Sequence, residues 1–279
     1  MVLNQFPPAP ILNNFIRVYR VVHCVFDNSQ IIPFKPYPPK PEHCLSFYPR
    51  DTEVVTYTKS GKKNSNIKAV VFGQQNEVTN RHVGKDFLLF QVVFKPGALY
   101  RFLGIPSTEI TNCYIDAETV FPAAAIKEVN ERLASLGTDF LKMVAVIDAF
   151  LVKQLHHLKA EAHQIDFVSN NLVLNNAGHK IENQAKASCL SLRQYERKFL
   201  ERMGVSPKYF SKVVRFEHAF RMKNKFPNLD WLTIALHCGY YDYQHLVKDY
   251  KELTLQSPTE FHLLDLSSPE RKFGEADTY

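Results

Sequence analysis

Residues 230–250 read DWLTIALHCGYYDYQHLVKDY, and this stretch decides the fold of the C-terminal half. Asp230 stands before an apolar run. Its carboxylate can accept from the free N–H groups of a first helical turn, so it caps a short helix from Trp231 to Cys238. Gly239 follows and makes the turn, because glycine reaches left-handed backbone angles without steric penalty. Asp242 caps a second helix, from Tyr243 to Leu253. Two helices joined this tightly cross closely, and the small Ala235 makes room for the crossing. The second helix turns Leu246 and Tyr250 inward by its 3.6-residue period. It turns Tyr243, Gln244 and Lys248 outward, with His245 and Lys251 beside them. A short helix, a tight turn and a longer helix form a helix-turn-helix unit.

Working outward, the same unit stands upstream. A short helix, Phe167 to Leu174, is expected to end near Ala177-Gly178. A second spans Ile181 to Ser188, with Ala185 as its small crossing residue and Cys189 at the turn. Ser191 and Gln194 have the spacing of a capping box, which starts a third helix through Arg202. Leu192, Tyr195 and Phe199 are expected inside. Arg193, Glu196 and Arg197 are expected outside, flanked by Lys198 and Arg202. Gly204 closes this helix. Ser206-Pro207 opens a long one to Lys225, with serine as cap and proline in the first helical position. Its apolar face is Val213, Val214, Phe216, Ala219 and Phe220, and Pro227 ends it. Ser257-Pro258-Thr259-Glu260 is a further capping box. One such pattern is a weak signal. Two in tandem, each with its small residue, turn and polar outer face, are hard to obtain by chance.

The outward residues suit double-stranded DNA. Arginine pairs bidentately with guanine, glutamine with adenine, and lysine reaches guanine or phosphate. Residues 180–262 hold 14 Lys and Arg against 9 Asp and Glu. Most of the chain's formal charge of +6 therefore lies here, as a polyanionic partner requires.

On these residues the sequence resembles the AraC/XylS family of transcription regulators. The likeness rests on Leu190-Ser191, Arg193 to Phe199, Gly204-Val205-Ser206-Pro207, Arg215, Ala219, Ile234-Ala235, Cys238-Gly239-Tyr240, Asp242, Leu246, Tyr250-Lys251 and Ser257-Pro258. It implies two recognition helices in adjacent major-groove segments on one face of DNA, joined by the helix Pro207 to Lys225. By position, Arg193, Glu196 and Arg197 match the base-reading places of the first helix. Tyr243, Gln244, His245 and Lys248 match those of the second. The family usually has Gly where Cys189 and Leu255 stand, Phe at Leu246 and Tyr250, and Arg at His262. The resemblance implies a transcription regulator, expected to be an activator. RNA polymerase, a small-molecule effector and a second copy of the chain are its further candidate partners.

The N-terminal half reads as β-rich. Phe15–Phe26, Glu42–Tyr48, Thr52–Thr58, Ile67–Phe72 and Phe87–Phe94 are short apolar runs bounded by turn residues. The prolines from Pro33 to Pro41 exclude a central strand there, and Ser60–Asn66 reads as a polar turn. This spacing predicts a small barrel or sandwich. Helical periods follow, at Ile126, Val129 and Leu133 and then over Phe140 to Leu155. Phe94-Lys95-Pro96-Gly97-Ala98, Phe102 to Pro106 and Glu109-Ile110-Thr111 resemble the small β domain that precedes the DNA-binding domain in many such regulators. By analogy that domain binds an effector or mediates dimerisation.

The expected architecture is α+β: a β-rich domain with helices over 1–158, an all-α tandem helix-turn-helix domain over 159–265, and a tail over 266–279. Lys159–Gln164 is the candidate linker. The five cysteines, Cys24, Cys44, Cys113, Cys189 and Cys238, form no C-x-x-C pair and predict neither a zinc finger nor a disulfide framework. Cys189 and Cys238 are expected to be small packing residues. The start lacks a signal-peptide pattern and no apolar run would span a bilayer, so a cytoplasmic protein is expected. There is no phosphate-binding glycine loop and no G-x-S-x-G, and neither an enzyme nor a cofactor is expected. The alternative is a metal-dependent cupin-like enzyme with an accessory nucleic-acid-binding domain. It rests only on His23, His43, His82 and Cys44, and no H-x-H pair supports it. A third reading, an RNA or protein-interaction module, rests on Tyr240, Tyr241 and Tyr243 as stacking surfaces.

Overall fold

The structure is a computed structural model that describes residues 2–27, 36–175 and 180–268. Pro33, Ala177-Gly178 and the tail beyond 268 lie outside the described residues. The N-terminal half holds two antiparallel sheets. The larger contains strands β1 (Val2–Phe6), β2 (Ile16–Val25), β4 (His43–Phe47), β7 (Ala69–Phe72), β9 (Asp86–Phe94) and β10 (Tyr114–Asp116), in the order β1-β2-β9-β4-β7-β10. The smaller contains β3 (Pro36–Tyr37), β5 (Glu53–Tyr57), β6 (Lys63–Asn64) and β8 (Thr79–Val83), in the order β3-β8-β5-β6. The expected β-rich sandwich is therefore present.

Residue alternation along the central strands assigns the two faces. Tyr19, Val21, Leu45, Phe47, Leu88, Phe90 and Val92 form one core with helices α1 (Ala98–Leu103), α2 (Ala123–Ser135) and α3 (Phe140–Leu155). Cys24, Cys44, Tyr48, Phe72, Phe87, Leu89 and Val93 form another on the opposite face, toward the smaller sheet. The five expected strands are all present. β1 and β8 are additional, because VLNQF and TNRHV carry no apolar alternation to announce them. The expected turn at Ser60–Asn66 contains the two-residue strand β6.

The C-terminal half is helical: α4 (Gln164–Asn175), α5 (Ile181–Ala187), α6 (Leu192–Met203), α7 (Pro207–Lys225), α8 (Trp231–His237), α9 (Tyr243–Thr254) and α10 (Pro258–Leu266). It has two cores. Tyr195, Phe199, Phe210 and Val214 centre the first, and Phe216, Ile234, Leu246, Tyr250 and Phe261 the second. Helix α7 contributes to both. Segment Lys159–Gln164, expected as a linker, is tied to α1, since Lys159 and Ala160 donate backbone N–H groups to the Arg101 carbonyl at 2.8 and 3.3 Å.

Candidate nucleic-acid interface

The two helix-turn-helix units are built alike at the level of single hydrogen bonds. In the first, Leu190 N–H donates to the Ala185 carbonyl at 3.1 Å; in the second, Tyr240 N–H donates to the Ala235 carbonyl at 3.0 Å. The residues between them, Cys189 and Gly239, both take left-handed angles, with φ of 55° and 77°. This is the backbone pattern of a Schellman-type helix end, which satisfies the last carbonyls of a helix while reversing the chain. Cys189 therefore performs the turn expected of it, but as an exposed residue rather than a packed one, while Cys238 is buried.

The recognition helices then start on side-chain caps. Ser191 accepts from Gln194 N–H and forms the full capping box, and Asp242 accepts from His245 N–H. That bond is also the main reason the Asp242 carboxyl is held below its usual range. From the caps onward the units correspond at a spacing of 51 positions. Arg193 matches Gln244, Arg197 matches Lys248, Phe199 matches Tyr250, Gly204 matches Leu255, and Ser206-Pro207 matches Ser257-Pro258. Gly204 and Leu255 both end their helices with left-handed angles, φ 80° and 66°.

On α6, Arg193, Glu196 and Arg197 are exposed and Lys198 is half-buried; Tyr195 and Phe199 are fully buried. Leu192 departs from expectation, being 42% exposed at the first helical position, ahead of the turn that meets the core. On α9, Gln244, His245 and Lys248 are exposed, and Tyr243 is half-buried against the second core. Of the tyrosines read as a stacking surface, Tyr240 is buried and Tyr241 stands beside this face. Tyr241 is 85% exposed in the turn and meets the His245 ring edge-on at 6.0 Å.

Arg202 is the correction. Expected on the outer face, it is buried. Its guanidinium donates through Nη2 to Asp166 at 2.6 Å and through Nε at 2.7 Å, and lies over the Tyr100 ring at 4.7 Å. It sits three residues beyond Phe199, so the helical period turns it toward the β domain. A guanidinium already bridging a carboxylate in a dry setting is not offered to DNA.

Helix α9 is fixed by α7. Arg215 pairs with Asp249 at 2.9 Å and stacks on Tyr240, and Lys212 pairs with Glu252 at 2.6 Å. Helix α6 is fixed from the other side. Its last carbonyls have no intrahelical partners, and the β domain supplies them. Ser107 Oγ donates to the Arg202 carbonyl at 2.8 Å, His43 Nε2 meets the Met203 carbonyl at 3.2 Å, and Thr111 Oγ1 donates to the Gly204 carbonyl at 2.9 Å. Tyr100 Oη donates to Glu201 at 2.7 Å. No local pattern announces these contacts, because each partner lies some ninety or more positions away.

A second feature lies between the sheets. A cavity of about 130 Å³ is bounded by Arg20, Lys40, Glu42, Arg81 and Gln91 on its polar side and by Val22, Phe72 and Leu89 on its apolar side. Its charges are largely matched: Arg20 meets Glu42 at 3.2 Å and Arg81 meets Glu53 at 3.6 Å. The arginines hold the Glu42 carboxyl well below its usual range against the opposing effect of burial. The histidine and cysteine positions that motivated a metal site do not converge there. His43 and Cys44 are neighbours on one strand and face opposite sides, and no metal-holding group of three His, Cys, Asp or Glu exists among the described residues.

Residues 184–262 match a family described as a helix-turn-helix domain, and residues 4–116 match a domain of unknown function, DUF6597. No curated protein matches the chain. Among solved structures it is similar to ToxT from Vibrio cholerae in its P21 form, at 8% identity and a TM-score of 0.50, over 88% of this chain and 98% of that one. A ToxT structure bound to (E)-4-(8-methylnaphthalen-1-yl)but-3-enoic acid is similar at 10% identity and TM-score 0.50, again over 88% and 98%. The DNA-binding domain of AdpA in complex with a target DNA covers 40% of this chain and 100% of its own, at 18% identity and TM-score 0.37. No described helix is long and apolar enough to cross a membrane. With two units built alike down to their turn hydrogen bonds, residues 184–262 form a tandem helix-turn-helix domain, and a two-sheet β domain precedes it.

Proposed function

We propose that α6 and α9 enter adjacent major-groove segments on one face of DNA. Arg193, Glu196, Arg197 and Lys198 read the first segment, and Tyr243, Gln244, His245 and Lys248 the second. The supporting observation is the one-to-one correspondence of Arg193 with Gln244 and Arg197 with Lys248, all four exposed, on helices whose opposite faces are buried. Tyr241 adds an aromatic contact beside the second helix. We place the boundary between the two domains at 158/159, where the core of the β domain gives way to that of α4 to α6.

The same reading gives the β domain a regulatory task. The cavity between its sheets is small, enclosed by paired charges and apolar walls, and suits a compact polar effector with one apolar face. In this reading the chain is an AraC-type transcription activator, with RNA polymerase and a second copy of the chain as its remaining partners and the cytoplasm as its place of work.

The test is selection of the full-length protein against a random double-stranded DNA pool at moderate salt. The expected result is a motif with two parts about 10 base pairs apart. Salt-sensitive retention without any enriched motif would show that the basic face is not a reader of sequence.

A further inference from the structure

Three carbonyls in a row at the end of α6 are held by side chains of the β domain. The donors come from two separate places. Ser107 and Thr111 belong to the 3-10 turn Ser107–Ile110 and the residue after it, and His43 opens β4. Helix ends generally give their last carbonyls to water or to a local cap. Here the cap is the neighbouring domain. The bond from Tyr100 to Glu201 and the packing of Tyr100 on Arg202 add two contacts one turn earlier.

Close approach is built into the backbone as well. Gly204 is left-handed, and a Cβ at this position would lie 2.7 Å from the Ser107 carbonyl oxygen. The matching position of the second unit, Leu255, carries a full side chain that is 66% exposed. The two recognition helices, which correspond position by position from cap to helix end, thus differ in what holds their C-terminal ends. Those of α6 are held by the β domain. Both helices also form ion pairs within the DNA-binding half, α6 through Arg202 to Asp166 of α4 and α9 through Asp249 and Glu252 to α7, so the difference lies in the donors to the last carbonyls.

The residue next to His43 connects this seam to the cavity. Glu42 lines the cavity and pairs with Arg20, while His43 reaches the Met203 carbonyl. Strand alternation puts consecutive side chains on opposite faces, so the chain at 42–43 meets the cavity on one side and the end of α6 on the other.

We propose that Ser107, Thr111 and His43 are positioning residues for the first recognition helix, and that sequence reading by α6, but not by α9, depends on the β domain. The proposal rests on the DNA-reading assignment above. It gives the two halves of the operator different roles. The α9 half is read by a self-contained unit, and the α6 half is read only when the β domain sets the helix.

The experiment uses the full-length chain and the selected duplex, with base substitutions placed in one half at a time. The half read by each helix is identified by the penalty that Arg197→Ala or Lys248→Ala abolishes. The variant is the triple substitution Tyr100→Phe, Ser107→Ala and Thr111→Val, none of which is in the proposed DNA face. The expected result is that the penalty for substitutions in the α6 half shrinks by roughly tenfold, while the penalty in the α9 half stays at the wild-type value. The retained α9 penalty also reports that the variant is folded. Unchanged penalties in both halves would overturn the proposal, and so would equal shrinkage of both. A wild-type protein with no penalty in either half would overturn the DNA-reading assignment itself, and this inference with it.

Discussion

The hydroxyl of Ser107 donates to the carbonyl of Arg202 at 2.8 Å, across 95 positions of sequence. Both atoms are buried, so the bond is exchanged for nothing when the serine is removed. An unsatisfied buried carbonyl costs about 1–3 kcal/mol. It sits beside Gly204, whose added Cβ would meet Thr111 and the Ser107 carbonyl.

Gly204→Ala and Gly239→Ala separate the effect of backbone angle from that of the interdomain seam. Both glycines are left-handed, at φ 80° and 77°, but nothing lies within 4 Å of a Cβ at Gly239. Gly239→Ala is expected to cost about 1–2 kcal/mol, the ordinary penalty for that angle. Gly204→Ala is expected to cost clearly more, with the excess arising at the seam. Denaturant unfolding of the two variants measures the difference, and equal losses would show that the seam yields freely.

Non-glycine residues occupy two other left-handed positions, Cys189 at φ 55° and Leu255 at φ 66°. Both side chains are exposed, so little packing is lost on removing them. Relief of the angle outweighs the extra freedom that glycine gives the unfolded chain. Cys189→Gly and Leu255→Gly are each expected to stabilise by up to about 1 kcal/mol. A fall in the denaturant midpoint for either variant would contradict this.

Arg202→Ala is expected to act on stability rather than on DNA charge. It breaks a buried pair with Asp166 and leaves that carboxylate with the His163 N–H but no charged partner, which costs about 3 kcal/mol. Its removal should leave the salt dependence of DNA binding at the wild-type slope, because it neutralises no phosphate. A shallower slope measured by titration at several salt concentrations would place Arg202 on the DNA after all.

His43 gives the fold an acid-sensitive component. Burial lowers its pKa to about 4, opposed in part by the bond to the Met203 carbonyl. The folded protein thus resists a proton that the unfolded chain accepts, and stability falls as pH drops from about 6.5 toward 4. Between about pH 7 and pH 5 the expected loss from this group is roughly 2 kcal/mol. His43→Gln should show a correspondingly smaller decline over the same interval. An identical decline in both proteins would assign the acid sensitivity elsewhere.

The C-terminal half was legible because its information is local. Caps at Ser191, Asp230, Asp242 and Ser257, the turn at Gly239 and the helical periods all act within a few residues, and the helices lie where these signals put them. Arg202 was misplaced because the face of α6 that meets the β domain has no local signature. Its partner Asp166 lies 36 positions away. The β domain was legible only where strands are apolar. Strand β8 (TNRHV) lines a polar cavity, so the usual alternation is replaced by residues such as Thr79 and Arg81 that serve the interior. The cavity itself depends on two sheets coming face to face, which no single stretch encodes.

The most direct measurement is titration of the selected operator duplex with wild type, Arg197→Ala and Lys248→Ala at fixed salt. The account predicts that each substitution weakens binding by about 1–3 kcal/mol and abolishes discrimination in its own half of the site only. Binding by both variants with wild-type affinity and discrimination in both halves would contradict the assignment of α6 and α9 as the recognition helices.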